Sequence, residues 1–247
     1  VSSTELSEVL TAARTRMATL PQLRHWIVVP LASAALIAAA GLGLGSAPAV
    51  TAVDLSVDAA LSHEHSAPLT AIALFINAVF SPAGGVLMIA AVSLFLLIVR
   101  RSPVNAMATG LVAAAAWVSC ELFKMVVARH RPDASALFDP LIQEPGTDSF
   151  PSGHTSLAVA LAIAAFLLAR GTRWQWPALA GGAVAAVAVA LSRLYLGVHY
   201  PTDVAASFLT SLTGAAFTTG LWNTYGLAAL ARLPLLARLG PVPAPGS

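Results

Sequence analysis

Three short segments carry residue types that together could move a phosphoryl group: KMVVARHRP (Lys124–Pro132), FPSGH (Phe150–His154) and SRLYLGVHYPTD (Ser192–Asp203). Lys124 is the only lysine among 13 basic residues. With Arg131 and Arg193 it supplies three cations, which can hold the negative charge of a transferring phosphoryl group without a metal. In the second segment Pro151 suits the first position of a helix, and Gly153 lets the main chain approach a ligand. The N–H groups and dipole of such a helix start favour phosphate. The third segment brings reactivity. His199 lies just before Pro201, another helix-starting proline, and Asp203 follows four residues later, within reach to accept a hydrogen bond from one imidazole nitrogen. That bond fixes the tautomer and leaves the other nitrogen as nucleophile. His154 can then protonate the leaving oxygen and later take a proton from water. No metal-ligand spacing is evident, and neither metal nor cofactor is expected.

Taken singly these residues have plainer explanations. Lys124 and Arg131 could anchor a helix end at an interface by snorkelling, Pro-Ser-Gly could be a turn, and His199 with Asp203 a helix-start hydrogen bond. Their order and shared side of a membrane favour the chemical reading. Glu121, three residues before Lys124, is placed to pair with it. Arg129 and His130 are assigned to the mouth of the site, and His63, Glu64 and His65 read as solvated loop residues.

The elements that must position these groups are membrane helices. The chain has 247 residues, 57% hydrophobic and 10% charged, with mean hydropathy +0.80, which describes a polytopic membrane protein. No 10-residue alternation points to a barrel, so the fold class is an all-α transmembrane bundle. Residues 1–21 predict an amphipathic helix on the membrane surface, with Ser2 and Glu5 at capping-box spacing, an apolar stripe through Met17 and Leu20, and a stop at Pro21. Six spans are expected: Trp26 to about Gly45, Pro82–Val99, Val104–Val126, Ser152–Ala169, Trp176–Leu191 and Thr202–Trp222. Between the first two, Ser81-Pro82-Ala83-Gly84-Gly85 interrupts residues 69–99, read as a non-spanning or re-entrant helix followed by one span. The expected units are a cytoplasmic N-terminal segment (1–23), a six-helix domain (24–224) and a cytoplasmic tail (225–247) ending in flexible PVPAPGS. Cys120 reads as a small buried residue.

Charge orients this bundle. With both termini inside, Arg14, Arg16, Arg24, Arg100, Arg101, Arg170, Arg173, Arg232 and Arg238 all lie inside, as cytoplasmic flanks prefer. Lys124, Arg129, Arg131 and Arg193 lie outside against that preference, and all four belong to the segments above.

The order Lys-x6-Arg-Pro, Pro-Ser-Gly-His, Ser-Arg-x5-His-x3-Asp resembles the type 2 phosphatidic acid phosphatase (PAP2) superfamily of membrane lipid phosphatases, and each signature position is matched. The resemblance implies that Lys124, Arg131, Ser152, Gly153 and Arg193 hold phosphate, that His199 attacks phosphorus, that Asp203 orients it and that His154 is general acid then base. It also implies metal-independent chemistry through a phosphohistidine. The expected protein is therefore a plasma-membrane hydrolase acting at the outer face. Its partners are membrane lipids and a lipid phosphate, such as an isoprenyl diphosphate, phosphatidate or phosphatidylglycerol phosphate, with no nucleic acid. Tail preference is assigned to grooves around residues 51–85. A phosphotransferase using the same intermediate, or a non-catalytic phosphate-binding transporter or scaffold, stands as the alternative.

Overall fold

The computed structural model describes residues 2–244; the end of the tail expected to be flexible, residues 245–247, lies outside them. The described residues form helices and connecting loops with no strands. Helix α1 (Ser3–Arg14) opens with the expected capping box: Ser2 Oγ accepts from Glu5 N at 3.2 Å, and Glu5 accepts from Ser2 N at 2.6 Å. The helix stops at Arg14 instead of running to Leu20. The reason is tertiary. Met17 N donates to Asn105 Oδ1 (2.9 Å), Trp222 Nε1 donates to the Met17 carbonyl (2.8 Å), and the Asn223 amide pairs with both backbone groups of Leu20 (2.9 and 2.8 Å). These side-chain bonds replace helical ones. The expected surface stripe is thus divided: Met17 and Leu20 are buried in the core, while Leu6, Val9 and Leu10 remain exposed.

Helices α2 (Val28–Gly45), α3 (Pro48–Ser62) and α4 (Ala67–Val79) follow. Helix α5 (Pro82–Leu94) continues through a π turn to Val99. The break between α4 and α5 falls where the sequence placed it, at Ser81, whose hydroxyl caps Gly84 N at 3.2 Å. The bundle is completed by α6 (Pro103–Val127), α7 (Gly153–Ala169), α8 (Gln175–Tyr195) and α9 (Pro201–Leu221). Among the described residues five helical stretches are long and apolar enough to cross a bilayer: Val28–Gly45, Pro82–Val99, Pro103–Val127, Gln175–Tyr195 and Pro201–Ala231. The remaining expected span is the shorter apolar helix α7, of 17 residues. Helix α8 runs past the expected end at Leu191, so Arg193 lies in its last turn.

Packing places α7 between α6 and α8, with α9 against α6 and α7. Lipid supplies no hydrophobic force between helices, so close approach over small residues must do this work. Gly182 of α8 shows it: a Cβ there would lie 2.7 Å from Ala162 Cβ and 3.0 Å from Ala162 Cα on α7. Large apolar side chains such as Leu36, Phe75, Leu87, Ile98, Met125 and Val184 face outward, as a lipid-exposed belt requires.

The two ends of the bundle differ. At one end Arg16 donates to the Leu168 carbonyl (3.1 Å) and Arg170 to the Thr19 carbonyl (2.7 Å), tying the N-terminal segment to the C-terminus of α7. The other end gathers the last turns of α6 and α8 and the first turns of α7 and α9, and with them all three chemical segments.

Gly182→Ala is expected to destabilise the protein by about 1–3 kcal/mol, because overpacking a closed helix contact forces the helices apart. Gly181→Ala, with open space at its Cβ inside the same helix, is expected to raise stability, by up to about 1 kcal/mol, because alanine favours helix over glycine. Thermal unfolding in detergent compares the pair.

Candidate active site

Helix α8 ends in a way that turns the chain back on itself. Gly197 takes a left-handed conformation (φ +69°), and Val198 N donates to the Arg193 carbonyl at 3.2 Å. Such a glycine cap satisfies the last carbonyls and reverses direction, so His199 returns beside Arg193. A Cβ at Gly197 would also meet Leu137 at 2.3 Å. Pro201 then starts α9 at its first turn, as expected.

His199 is 1% exposed. Its Nδ1 lies 2.8 Å from the Ser149 carbonyl oxygen. A carbonyl only accepts, so Nδ1 carries the hydrogen and Nε2 holds the lone pair, which accepts from Arg131. Nε2 stands 3.3 Å from Arg131 Nη1. This corrects one expectation. The hydrogen bond assigned to Asp203 is made by Ser149, and Asp203 Oδ2 lies 3.7 Å from Nδ1, an electrostatic neighbour beyond hydrogen-bond range. The cause is competition, since Asp203 accepts from Arg129 Nη1 (2.6 Å), Ser149 Oγ (2.5 Å) and Tyr200 N (3.0 Å). Burial, aided by the charges of Arg131 and Arg193 and opposed by Asp203, pushes the His199 imidazole down to about 4.

The cations converge on the same end. Lys124, in the last turn of α6, pairs with Glu121 at 2.9 Å, as its spacing predicted. Its ammonium would lie 3.3 Å from a Cβ on Gly153, so the lysine rests on the bare first residue of α7. Arg131 binds Asp148 through Nε (2.9 Å) and Nη2 (3.0 Å), and Glu144 through Nη1 (2.5 Å). Arg193 is fully buried; its Nη2 reaches both Glu144 oxygens at 3.1 Å, and its Nη1 donates to Asn77 on α4. Burial raises the Glu144 carboxyl, but Arg193 and Arg131 outweigh it and the net shift is downward. Arg131 holds Asp148 down to about 2. His154, on the first turn of α7, has Nε2 3.2 Å from the Asn77 carbonyl. Ser152 is the N-cap of α7, so Pro151 precedes the cap instead of starting the helix. The Ser152 hydroxyl accepts from Thr155 N at 3.5 Å, and its carbonyl accepts from Ser207 Oγ at 3.1 Å.

Sequence reasoning missed an ion cluster behind His199. Arg129 is not at the mouth of the site. It is 4% exposed, bridges Asp203 and Asp54 on α3 (2.9 Å), and stacks on the Tyr200 ring at 4.2 Å. Thr202 completes the cluster, donating to Asp54 at 2.5 Å. Asp58, one turn beyond Asp54, is fully buried with both oxygens unpartnered; burial, then Asp203 and Asp54, push its carboxyl up to about 8. The spacing of Asp54, Asp58 and Ser62 along one helix face was the available signal. His63 and His65 are not simply solvated either. His63 stacks on Phe138 (4.4 Å), and His65 bridges Asp139 (3.2 Å) and the Tyr195 carbonyl (2.9 Å), pinning the loop that leads to Glu144.

Fold and cluster together define a helical membrane protein with a buried, arginine-lined anion site, here filled by its own Glu144. The profile of the PAP2 superfamily matches residues 104–226. The bacitracin transport permease protein BcrC of Bacillus licheniformis is 42% identical over 77 residues, 31% of this chain and 35% of that protein. The undecaprenyl-diphosphatase BcrC of Bacillus subtilis is 30% identical over 152 residues, 62% of this chain and 74% of its own length. The chain thus belongs to the PAP2 superfamily. It spans about a third of the first of these relatives. Its fold matches the crystal structure of a transmembrane PAP2 type phosphatidylglycerolphosphate phosphatase from Bacillus subtilis, with a TM-score of 0.65 over 79% of this chain and 96% of that one, at 23% identity.

Two outcomes follow. Because burial disfavours the charged ring, His199 is expected to stay neutral and Nδ1-protonated from pH 7 down to about 4. In that interval the unfolded chain takes up a proton that the folded chain refuses, so acid weakens folding. Nitrogen-15 histidine spectra across a pH titration check the tautomer. Arg129→Ala is expected to cost about 3–5 kcal/mol by leaving two buried carboxylates unpaired, and more than Asp54→Asn, which keeps an oxygen for Arg129; thermal melts in detergent compare them.

Proposed function

We propose that this protein is a metal-independent lipid phosphate phosphatase. The observation that carries the reading is the unprotonated Nε2 of His199, its tautomer held by the Ser149 carbonyl, with its lone pair turned to Arg131, which shares Glu144 with Arg193. In the proposed reaction Nε2 attacks phosphorus, the P–N bond forms and the P–O bond to the leaving group breaks. His154 gives that oxygen its proton. Water then loses a proton to His154 and attacks phosphorus, releasing inorganic phosphate and restoring His199. Lys124, Arg131 and Arg193 hold the phosphoryl oxygens, with Gly153 N and the α7 terminus beside them, while Ser152 keeps that terminus in place. The phosphorylated ring is cationic, and Asp203 at 3.7 Å supports it electrostatically.

The substrate is a lipid, since the site opens at the end of a lipid-facing bundle. An isoprenyl diphosphate is the first choice, on the likeness to the Bacillus subtilis diphosphatase, with phosphatidylglycerol phosphate and phosphatidate next. The active site faces outward from the plasma membrane, with both termini and their arginines cytoplasmic. This orientation follows the separation of charge, in which Arg16 and Arg170 sit at the end opposite His199.

The test is phosphate release by purified, EDTA-treated protein from a long-chain isoprenyl diphosphate, phosphatidylglycerol phosphate, phosphatidate and a soluble phosphomonoester. Activity is expected to survive chelation, favour one lipid, and fall at least about a thousandfold in His199→Ala, as loss of a nucleophile does. Activity abolished by EDTA and restored by magnesium would refute metal independence, and an unimpaired His199→Ala would refute the nucleophile. Transfer to an added alcohol in place of water would make the protein a phosphotransferase.

A further inference from the structure

Glu144 occupies the place where the proposed function puts phosphate. Its Oε2 lies 2.5 Å from Arg131 Nη1, and both its oxygens lie 3.1 Å from Arg193 Nη2. The same Arg131 Nη1 stands 3.3 Å from the His199 Nε2 lone pair. A phosphoryl group in line with that lone pair and held by both arginines must therefore replace this carboxylate.

We propose that Glu144 determines specificity: as an internal monoanion it admits phosphate monoesters and terminal diphosphates but excludes the phosphodiester head groups that surround the protein in a membrane. The inference deepens the phosphatase reading and rests on it. A phosphodiester carries one charge and two terminal oxygens, the same complement as the Glu144 carboxylate. Exchanging one for the other gains no attraction to the arginines, and the incoming group must surrender its hydration and freedom. A monoester dianion brings a second charge and a third terminal oxygen. Two oxygens can take over the Glu144 contacts, while the third reaches toward Lys124 and the N-terminus of α7. The arginines are desolvated, Arg193 completely, so the second charge acts where electrostatic attraction is strong.

The surrounding loop allows this exchange. Near its start Phe138 N donates to Ser62 Oγ (3.0 Å), and Asp139 meets His65. At its end Asp148 grips Arg131, and Ser149 N donates to the Arg129 carbonyl (3.1 Å). The segment between, with Glu144, has no regular secondary structure. It borders a cavity of about 570 Å³, lined by Arg131, Gln143, Glu144 and Gly146 among others, into which the displaced carboxylate can move.

The test uses full-length protein in detergent on a His199→Ala background, so that binding is read without turnover. Short-chain phosphatidate and short-chain phosphatidylglycerol, a monoester and a diester with like tails, are titrated calorimetrically with Glu144 intact, in Glu144→Gln and in Glu144→Ala. With Glu144 present the monoester is expected to bind at least about tenfold more tightly than the diester. Both substitutions are expected to tighten diester binding about tenfold or more and to narrow the ratio, because a neutral or missing side chain no longer competes. Monoester binding with a ratio that neither substitution changes overturns the role of Glu144 and leaves the phosphate site standing. Absence of monoester binding in every form overturns the phosphate site, and this inference with it.

Discussion

The buried carboxylate of Asp203 is the constraint on which the rest of the site depends. A carboxylate taken out of water is costly unless every lone pair is answered, and here the answers come from three separate parts of the chain. Arg129 arrives from the end of α6, Ser149 from the loop before α7, and Tyr200 N from the start of α9 itself. The last is local, but the first two cannot be supplied without bringing their segments to α9. Once Ser149 is fixed by its hydroxyl, its carbonyl is in position for His199 Nδ1. The orientation of the histidine is thus a consequence of how the Asp203 charge is buried.

The same economy of charge runs through the whole end of the bundle. Lys124 is paired with Glu121, Arg131 with Asp148 and Glu144, Arg193 with Glu144, and Arg129 with Asp54 and Asp203. A set of cations this buried could not stand unpaired, so the protein folds with its own carboxylates in the places of a ligand. In the proposed function an incoming anion would have to exchange with a resident one, and its affinity would be a difference between two anions in place of a simple sum of attractions. The carboxylates fall into two kinds. Asp54 and Asp203 are enclosed and structural, while Glu144 sits on a loop with space beside it. Exchange is open only at the second kind.

How much of this was legible in sequence follows the range of the interactions. The all-helical membrane fold was plain from composition, and the break at Ser81, the capping box at Ser2 and the Glu121–Lys124 pair were plain from local spacing, because each rests on neighbours within four residues. The three segments could be placed at one end by counting spans, since Lys124, His154 and His199 fall on helix termini of alternating direction. What could not be read was long-range. Arg129 looks like a free position between Lys124 and Arg131 because its partner Asp54 is 75 residues away. Asp203 was given to His199 by proximity in sequence, although a carbonyl 50 residues from His199 makes the bond. The end of α1 was misjudged likewise, since Asn105 and Asn223 outcompete helical bonds that local pattern favours. Glu144 carried no motif, and only the fold shows it among the arginines.

The lone lysine at position 124 fits this picture of crowding and exchange. Its neighbour Gly153 has no side chain, and a single added carbon there would come within 3.3 Å of the ammonium. A planar guanidinium, wider and with its donors fixed in a fork, would not fit against the start of α7 without moving it, whereas an ammonium presents three donors at a point on a flexible stem. Arg131 and Arg193 each hold more than one partner at once, which the fork suits. Among the described residues Lys124 pairs with Glu121, and its ammonium keeps a flexible stem. In a chain that otherwise uses arginine, the change of cation marks where the site must remain both close-packed and able to rearrange.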